Sequence, residues 1–408
     1  LIGFCGSTIH HTDIGGYGIG AGARDIHEEG LWIPVLKLYD RGELNDTLSK
    51  IIHTNVRTPN AIFGDLGAQV ASGKTGAERL NGMCDRYGLD DIGTLADEII
   101  ARSEASTRDA IKELPGGTFV GETTFDVPSG EVIKLVTSVT IDVQTGSIDI
   151  DFSGSSGPSS SGINVVMAYT HAYSSFAVRS IVNPDLPNNA GSLAPITVTA
   201  PDESIVNAKY PVPVNARHVV GMYVPFPILN ALSKAVPDRI LAEGSGAVWT
   251  FQVQGRTAEG EPFTSSMFNY SGGMGARAEK DGLSATCYPT GVSAVPVEVL
   301  EASIPIEFTT KELVEGSGGD GQFRGGDGQR IGFRLKTEHN WLLNAIPSRL
   351  NIAAQGLNGG EPGKAGSFLI NGQALLEAKK REMRPDDEVL METPGGGGFG
   401  EADASRPR

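Results

Sequence analysis

The chain has 408 residues, with 33 Lys and Arg against 49 Asp and Glu, so its formal charge is −16. A field of that sign repels phosphate backbones and argues against a nucleic-acid partner, while leaving room for local positive clefts that take small anions. Gly, at 54 residues, is about twice its usual share of roughly 7%, in aperiodic clusters that exclude collagen and fit tight turns between packed elements.

Leu1 to Gly6 reads as the middle of a buried strand, which suggests a processed product or one piece of a larger protein whose site needs another segment. His10, His11 and Asp13 follow, then a glycine-rich loop through Gly15, Gly16, Gly18, Gly20 and Gly22. Glu28-Glu29-Gly30 leads into an extended Leu31-Trp32-Ile33-Pro34 segment, whose proline argues against a central strand. From 43 to about 114 the apolar spacing is helical, beginning with Leu44, Leu48, Ile51 and Ile52. Further helices are predicted over 61–72, 77–87 and 91–113, and Pro115-Gly116-Gly117 stops the last. Residues 118–153 switch to period two and turn at Gln144-Thr145-Gly146, a hairpin. A helix from Asn164 to about Val182, capped by Ser160 or Ser161, comes next. A short strand at 195–199, a second hairpin over 248–255 and 263–268, and mostly strand beyond complete an α+β chain of helices and antiparallel sheet with glycine-rich loops. The working division is 1–115, a metal-loop strand and helices, and 116–408, mainly sheet with embedded helices packed on the first part. Cys5, Cys84 and Cys287 are far apart and lack a C-x-x-C pair, which reads as free thiols in a reducing compartment. With no visible signal peptide and no apolar stretch able to span a bilayer, the expectation is a cytoplasmic protein without a membrane partner.

Imidazole and carboxylate together suit Zn, Mn or Fe. If 9–13 is extended, His11 and Asp13 point to one side and His10 to the other, so His11 with Asp13 is the better ligand pair. His10 is then a third ligand, or a catalytic or substrate-facing group, and the alternative is a histidine pair that hydrogen-bonds the glycine loop. His171 and His218 are candidate distant ligands, although each alone reads as a packed or surface histidine. Glu29 is a candidate acid or base if its turn folds over the metal, against the plainer reading of a solvated charge. Arg57 and Asp65 flank Pro59 and could bracket a loop through an ion pair, and Arg217-His218 could attract a carboxylate or bicarbonate. Gly73-Lys74-Thr75 imitates a phosphate loop but lacks the opening glycine at Ala68 and follows a helical pattern, so no nucleotide site is supported. The Gly316–Gly326 run reads as a rigid crossover or interface loop, with anion binding by its amides as the alternative. The Pro394–Gly400 run is expected to dock on another element or subunit.

Taken together, these pieces resemble the hydantoinase B/oxoprolinase family, which includes subunits of N-methylhydantoinase and of acetone and acetophenone carboxylases. The carrying motifs are His10-His11-Thr12-Asp13-Ile14-Gly15-Gly16, Glu29-Gly30-Leu31-Trp32-Ile33-Pro34, Asn55-Val56-Arg57-Thr58-Pro59, Gly64-Asp65-Leu66-Gly67-Ala68-Gln69, the Gly316–Gly326 run and Thr393-Pro394-Gly395-Gly396-Gly397-Gly398. The resemblance implies a divalent-metal site completed by an amino-terminal segment, and a hydantoinase A-like partner that carries ATP. It implies a subunit of an ATP-dependent cyclic-amide (hydantoin or lactam) hydrolase acting on a small molecule. Its alternatives are an ATP-dependent ketone carboxylase subunit and a non-catalytic scaffold. In the implied mechanism ATP phosphorylates an oxygen of the substrate, a metal held by His11 or His10 with Asp13 polarises an oxygen or generates hydroxide, and Glu29 moves a proton.

Overall fold

The computed structural model describes residues 3–402 except 12, 19, 129 and 376–379. Three helices dominate the first part: Asp46–Asn55, Pro59–Tyr87 and Gly93–Lys112. Asn45 caps the first, its side chain accepting from Leu48 N at 3.1 Å. Pro59 opens the second at the position where a missing N–H costs nothing, and Gly88 ends it in the left-handed conformation (φ 65°). The second helix is continuous through Gly73, where two separate helices were expected, and only Ile62 and Cys84 of its residues are buried. Leu48, Ile52 and Ile62 form a small cluster of their own. Gly3 to His10 forms no strand and is exposed, contrary to the buried strand expected there, and Leu1 and Ile2 lie outside the described residues.

A four-stranded sheet follows, in the order Gly117–Asp126, Val132–Asp142, Ser147–Asp151, Ile196–Thr199. The first three strands pair antiparallel and the last pairs parallel with Ser147–Asp151. Period two decides its faces: Ile133, Leu135, Val139 and Ile141 are buried in the larger core. Helices Met167–Val182 and Pro225–Leu232 contribute to the same core through Val178, Ile181, Phe226 and Ile228, and Ile111 and Leu114 reach it from the helical stretch. Helix Met167–Val182 starts later than expected and has no side-chain cap. Asn164 is occupied instead in holding the loop, donating to the carbonyls of Ser159, Ser161 and Pro213 at 2.9–3.0 Å.

The remaining strands form two further sheets. One runs Arg381–Met383, Trp341–Ala345, Val248–Arg256, Pro262–Ser271; the other runs Gln373–Ala374, Ser367–Ile370, Glu388–Glu392, Gln329–Leu335, Ile306–Leu313. They share one core, in which Phe251 of the first stacks on Phe333 of the second at 4.8 Å. The fold is therefore α+β with antiparallel pairing dominant. Among the described residues no helix is long and apolar enough to cross a membrane.

The glycine runs knit the two cores. Gly319 N donates to Gly396 O, Gly396 N to Gly326 O, and Gly397 N to Glu243 O, all within 3.0 Å. A Cβ on Gly396 would lie 2.1 Å from the Met274 carbonyl oxygen, so no side chain fits between these backbones. Those amides are spent on carbonyls rather than presented to an anion. Beside the knot, Arg349 and Glu243 form a buried ion pair (Nη2–Oε2 2.8 Å), with the guanidinium over the Tyr223 ring.

Candidate functional site

The loop carrying His10 to Glu29 lies against the junction at 55–65 and the segment 210–218. Its path is set by glycine: Gly15 and Gly16 have φ of 78° and 53°, and a Cβ on Gly16 would meet Glu28 O at 2.6 Å. Tyr17 N donates to Glu28 O and Leu31 N to Ile14 O, each at 2.8 Å, closing the loop on the short helix Ile26–Glu29. Asp25 caps that helix, accepting from His27 N and Glu28 N.

His11 and Asp13 take different partners. His11 Nδ1 lies 3.0 Å from Asp65 Oδ2, which comes from the second turn of the long helix. A carboxylate on one ring nitrogen fixes the ring's orientation and directs Nε2 elsewhere, the arrangement of an oriented proton-transfer imidazole. Asp13 is buried, and each of its oxygens has two donors. Oδ1 accepts from Gly15 N at 3.0 Å and from Arg57 Nη1 at 2.8 Å. Oδ2 accepts from Thr58 N at 3.2 Å and, in a short contact, from Arg57 N. Two oxygens offer about four acceptor sites, so the carboxylate is saturated. It thereby fixes the backbone of Arg57 and Thr58, the two residues that lead into the long helix. The Arg57–Asp65 ion pair expected across Pro59 does not form: Arg57 pairs with Asp13 and also donates to Gly16 O, while Asp65 serves His11.

A divalent metal is implied by the motif, and its fit can be judged from these donors. With Asp13 saturated and His11 turned to Asp65, the two do not converge as a ligand pair. Among the described residues no group of three or more His, Cys, Asp or Glu side chains is placed to hold an ion. As arranged, the residues do not fit the metal, and no step is routed through one.

Glu29 is buried and faces the backbone at 214–215, not His11. Its Oε1 accepts from Val214 N at 2.5 Å and Asn215 N at 2.6 Å. Burial pushes its pKa up, against the pull of those amides and of Arg217. Asn215 in turn donates to Gly18 O, so Glu29 clamps this segment to the loop. His10 is exposed, and it sits near enough to the half-buried His218 to oppose its protonation. Burial first, then Arg217 and His10, hold the His218 pKa down at about 4, and its Nε2 is buried without a partner among the described residues. Arg217 stands over the Tyr169 ring, which stacks on Tyr173 at 4.7 Å. His171 lies elsewhere on helix Met167–Val182, in a pocket of its own. Gly73-Lys74-Thr75 falls inside the long helix, where no phosphate loop can form.

The Hydantoinase B/oxoprolinase family model matches residues 1–402. This chain belongs to that family. The B component of a putative D-/L-hydantoinase from a Pseudomonas species is 30% identical over 424 residues, 98% of this chain and 71% of that protein. The beta chain of the Pseudomonas jessenii caprolactamase is 26% identical over 422 residues, 96% of this chain and 70% of its own length. The crystal structure of the ATP-dependent caprolactamase from that organism superposes with a TM-score of 0.84 at 24% identity, covering 96% of this chain and 71% of the other. A nucleotide-free acetone carboxylase structure superposes with a TM-score of 0.82 at 18% identity, covering 96% of this chain and 60% of the other. At those identities the structures establish the shared fold. Sequence reasoning had named Asp65 and Arg57, but with the wrong partners. What could have found the right ones is that a loop carboxylate followed by glycines favours main-chain donors, leaving the helix-borne Asp65 to the imidazole.

Proposed function

We propose that this chain is the B-type component of an ATP-dependent cyclic-amide hydrolase and acts with a hydantoinase A-like subunit that carries the nucleotide. The observation that carries the reading is the whole-chain family match, joined by sequence relatives named as components of a hydantoinase and of a caprolactamase, both cyclic-amide enzymes. A partner is further supported by the exposed apolar side chains of Trp32, Val35, Leu36 and Ile51 beside the thinly covered long helix.

In this reading phosphoryl transfer from ATP to the amide oxygen turns a poor electrophile into one with a leaving group. Water adds at that carbon, the ring C–N bond breaks with the nitrogen taking a proton, and a second water releases phosphate. His11, oriented by Asp65, takes the proton from water and returns it to the nitrogen. Asp13 with Arg57 holds the loop that presents His11. Glu29 acts as the clamp on 214–215, and the exposed His10 faces substrate near His218.

The test is ring opening by the assembled complex with His11→Ala and Asp65→Asn. His11→Ala is expected to lower kcat by about a hundredfold or more, as loss of a general base does. Asp65→Asn should cost less and shift the pH profile. Unchanged turnover in His11→Ala would mean that this chain is a scaffold for its partner.

A further inference from the structure

Helix Met167–Val182 carries His171, Ser175 and Arg179 four residues apart, one above another on a single face. They line a cavity of about 520 Å³ that opens to solvent, with Phe176 on the same helix and Asn188 and Leu193 beyond Pro184 among its walls. That volume is within the range of small-molecule sites, roughly 300–1,000 Å³. Among the described residues the lining holds a guanidinium, an imidazole, hydroxyls and an amide, and no carboxylate, in a chain whose net charge is −16. Arg179 is held at one end, its Nη2 donating to the Leu186 carbonyl. Burial pulls the Arg179 pKa below its ordinary value, and no carboxylate opposes it. Ser175 Oγ is 3.4 Å from His171 Nδ1, which places a second polar pair on the same wall. Phe176 and Leu193 supply an apolar side.

We propose that this cavity binds a small carboxylate with an apolar body, the carboxylate on Arg179 and His171 and the body against Phe176 and Leu193. The inference is independent of the cyclic-amide reading and of the loop around His11. The test is equilibrium dialysis of the full chain with labelled 3-phenylpropionate, beside its uncharged isostere 3-phenylpropanamide. The carboxylate is expected to bind at least about tenfold more tightly than the amide, as a charge-assisted contact to Arg179 requires. Arg179→Gln should lower the affinity at least tenfold. Because Arg179 also holds the Leu186 carbonyl, Ala172→Trp serves as the second variant; it fills the cavity, leaves the cation in place and should abolish binding with unfolding unchanged. Equal binding of acid and amide, unaltered binding by both variants, or no saturable binding of the acid below about 1 mM would overturn the proposal.

Discussion

Replacing Asp13 by Ala tests whether this carboxylate is an anchor or a free ligand. The substitution removes an acceptor whose side chain is 1% exposed and leaves three main-chain N–H groups, of Gly15, Arg57 and Thr58, without their partner. Hydrogen bonds to a charged group contribute roughly 1.5–3 kcal/mol each, but they share one carboxylate and do not add. The Arg57 side chain is 45% exposed and can rehydrate, so its part is discounted. About 3 kcal/mol for the anchorage as a whole is the reasoned figure, which corresponds to roughly a hundredfold more frequent opening at 1.4 kcal/mol per factor of ten. Amide hydrogen exchange on the metal-free chain reads this directly: Gly15, Arg57 and Thr58 should lose about two orders of magnitude of protection while the sheet cores keep theirs. If those amides keep their protection and only metal content changes, the anchor assignment is wrong and Asp13 is a ligand.

Three further outcomes follow from the same structure. Arg349→Met strands the buried Glu243 carboxylate and should cost about 3–5 kcal/mol in urea unfolding, partly recovered by adding Glu243→Gln; an unshifted midpoint would refute the pairing. Gly396→Ala should prevent the glycine runs from closing and give an unfolded or strongly destabilised chain, whereas Gly64→Ala, with open space around its Cβ in the long helix, should gain about 0.5–1 kcal/mol; both are read by thermal unfolding. His218 has a folded pKa near 4 against 6.5 unfolded, so the unfolded chain binds the extra proton between those values. Its stability contribution is complete above pH 6.5 and is lost as pH falls towards 4, by roughly 3 kcal/mol at 1.36 kcal/mol per unit. Glu29, with its raised pKa, contributes the opposite slope. His218→Phe should therefore flatten the acid side of the urea profile, and a profile unaltered by that change would count against the assignment.

Much of the fold was legible in order and period. The hairpin at 132–152 shows its core face in the alternation of Ile133, Leu135, Val139 and Ile141, and the helical stretch 46–112 in its apolar spacing. Gly73 misled because a solvated helix tolerates glycine at about 1 kcal/mol, less than a break would cost. The glycine runs announced close backbone approach, and each indeed lies on the other. The site was legible only as a cluster. Which group His11 and Asp13 face depends on Asp65 and Arg57, more than 40 positions away, and period-two reasoning cannot see them. Arg349 and Glu243, 106 positions apart, gave no local signal, since a buried ion pair reads in sequence like any two surface charges.

The most direct test of the functional reading is ADP release by the complex with the proposed ATP-carrying partner, comparing hydantoin and lactam substrates with acetone or acetophenone plus bicarbonate. Cyclic amides should stimulate ATP turnover in step with ring opening. Turnover with the ketone and bicarbonate alone, and none with any cyclic amide, would contradict the account and make this chain part of a carboxylase.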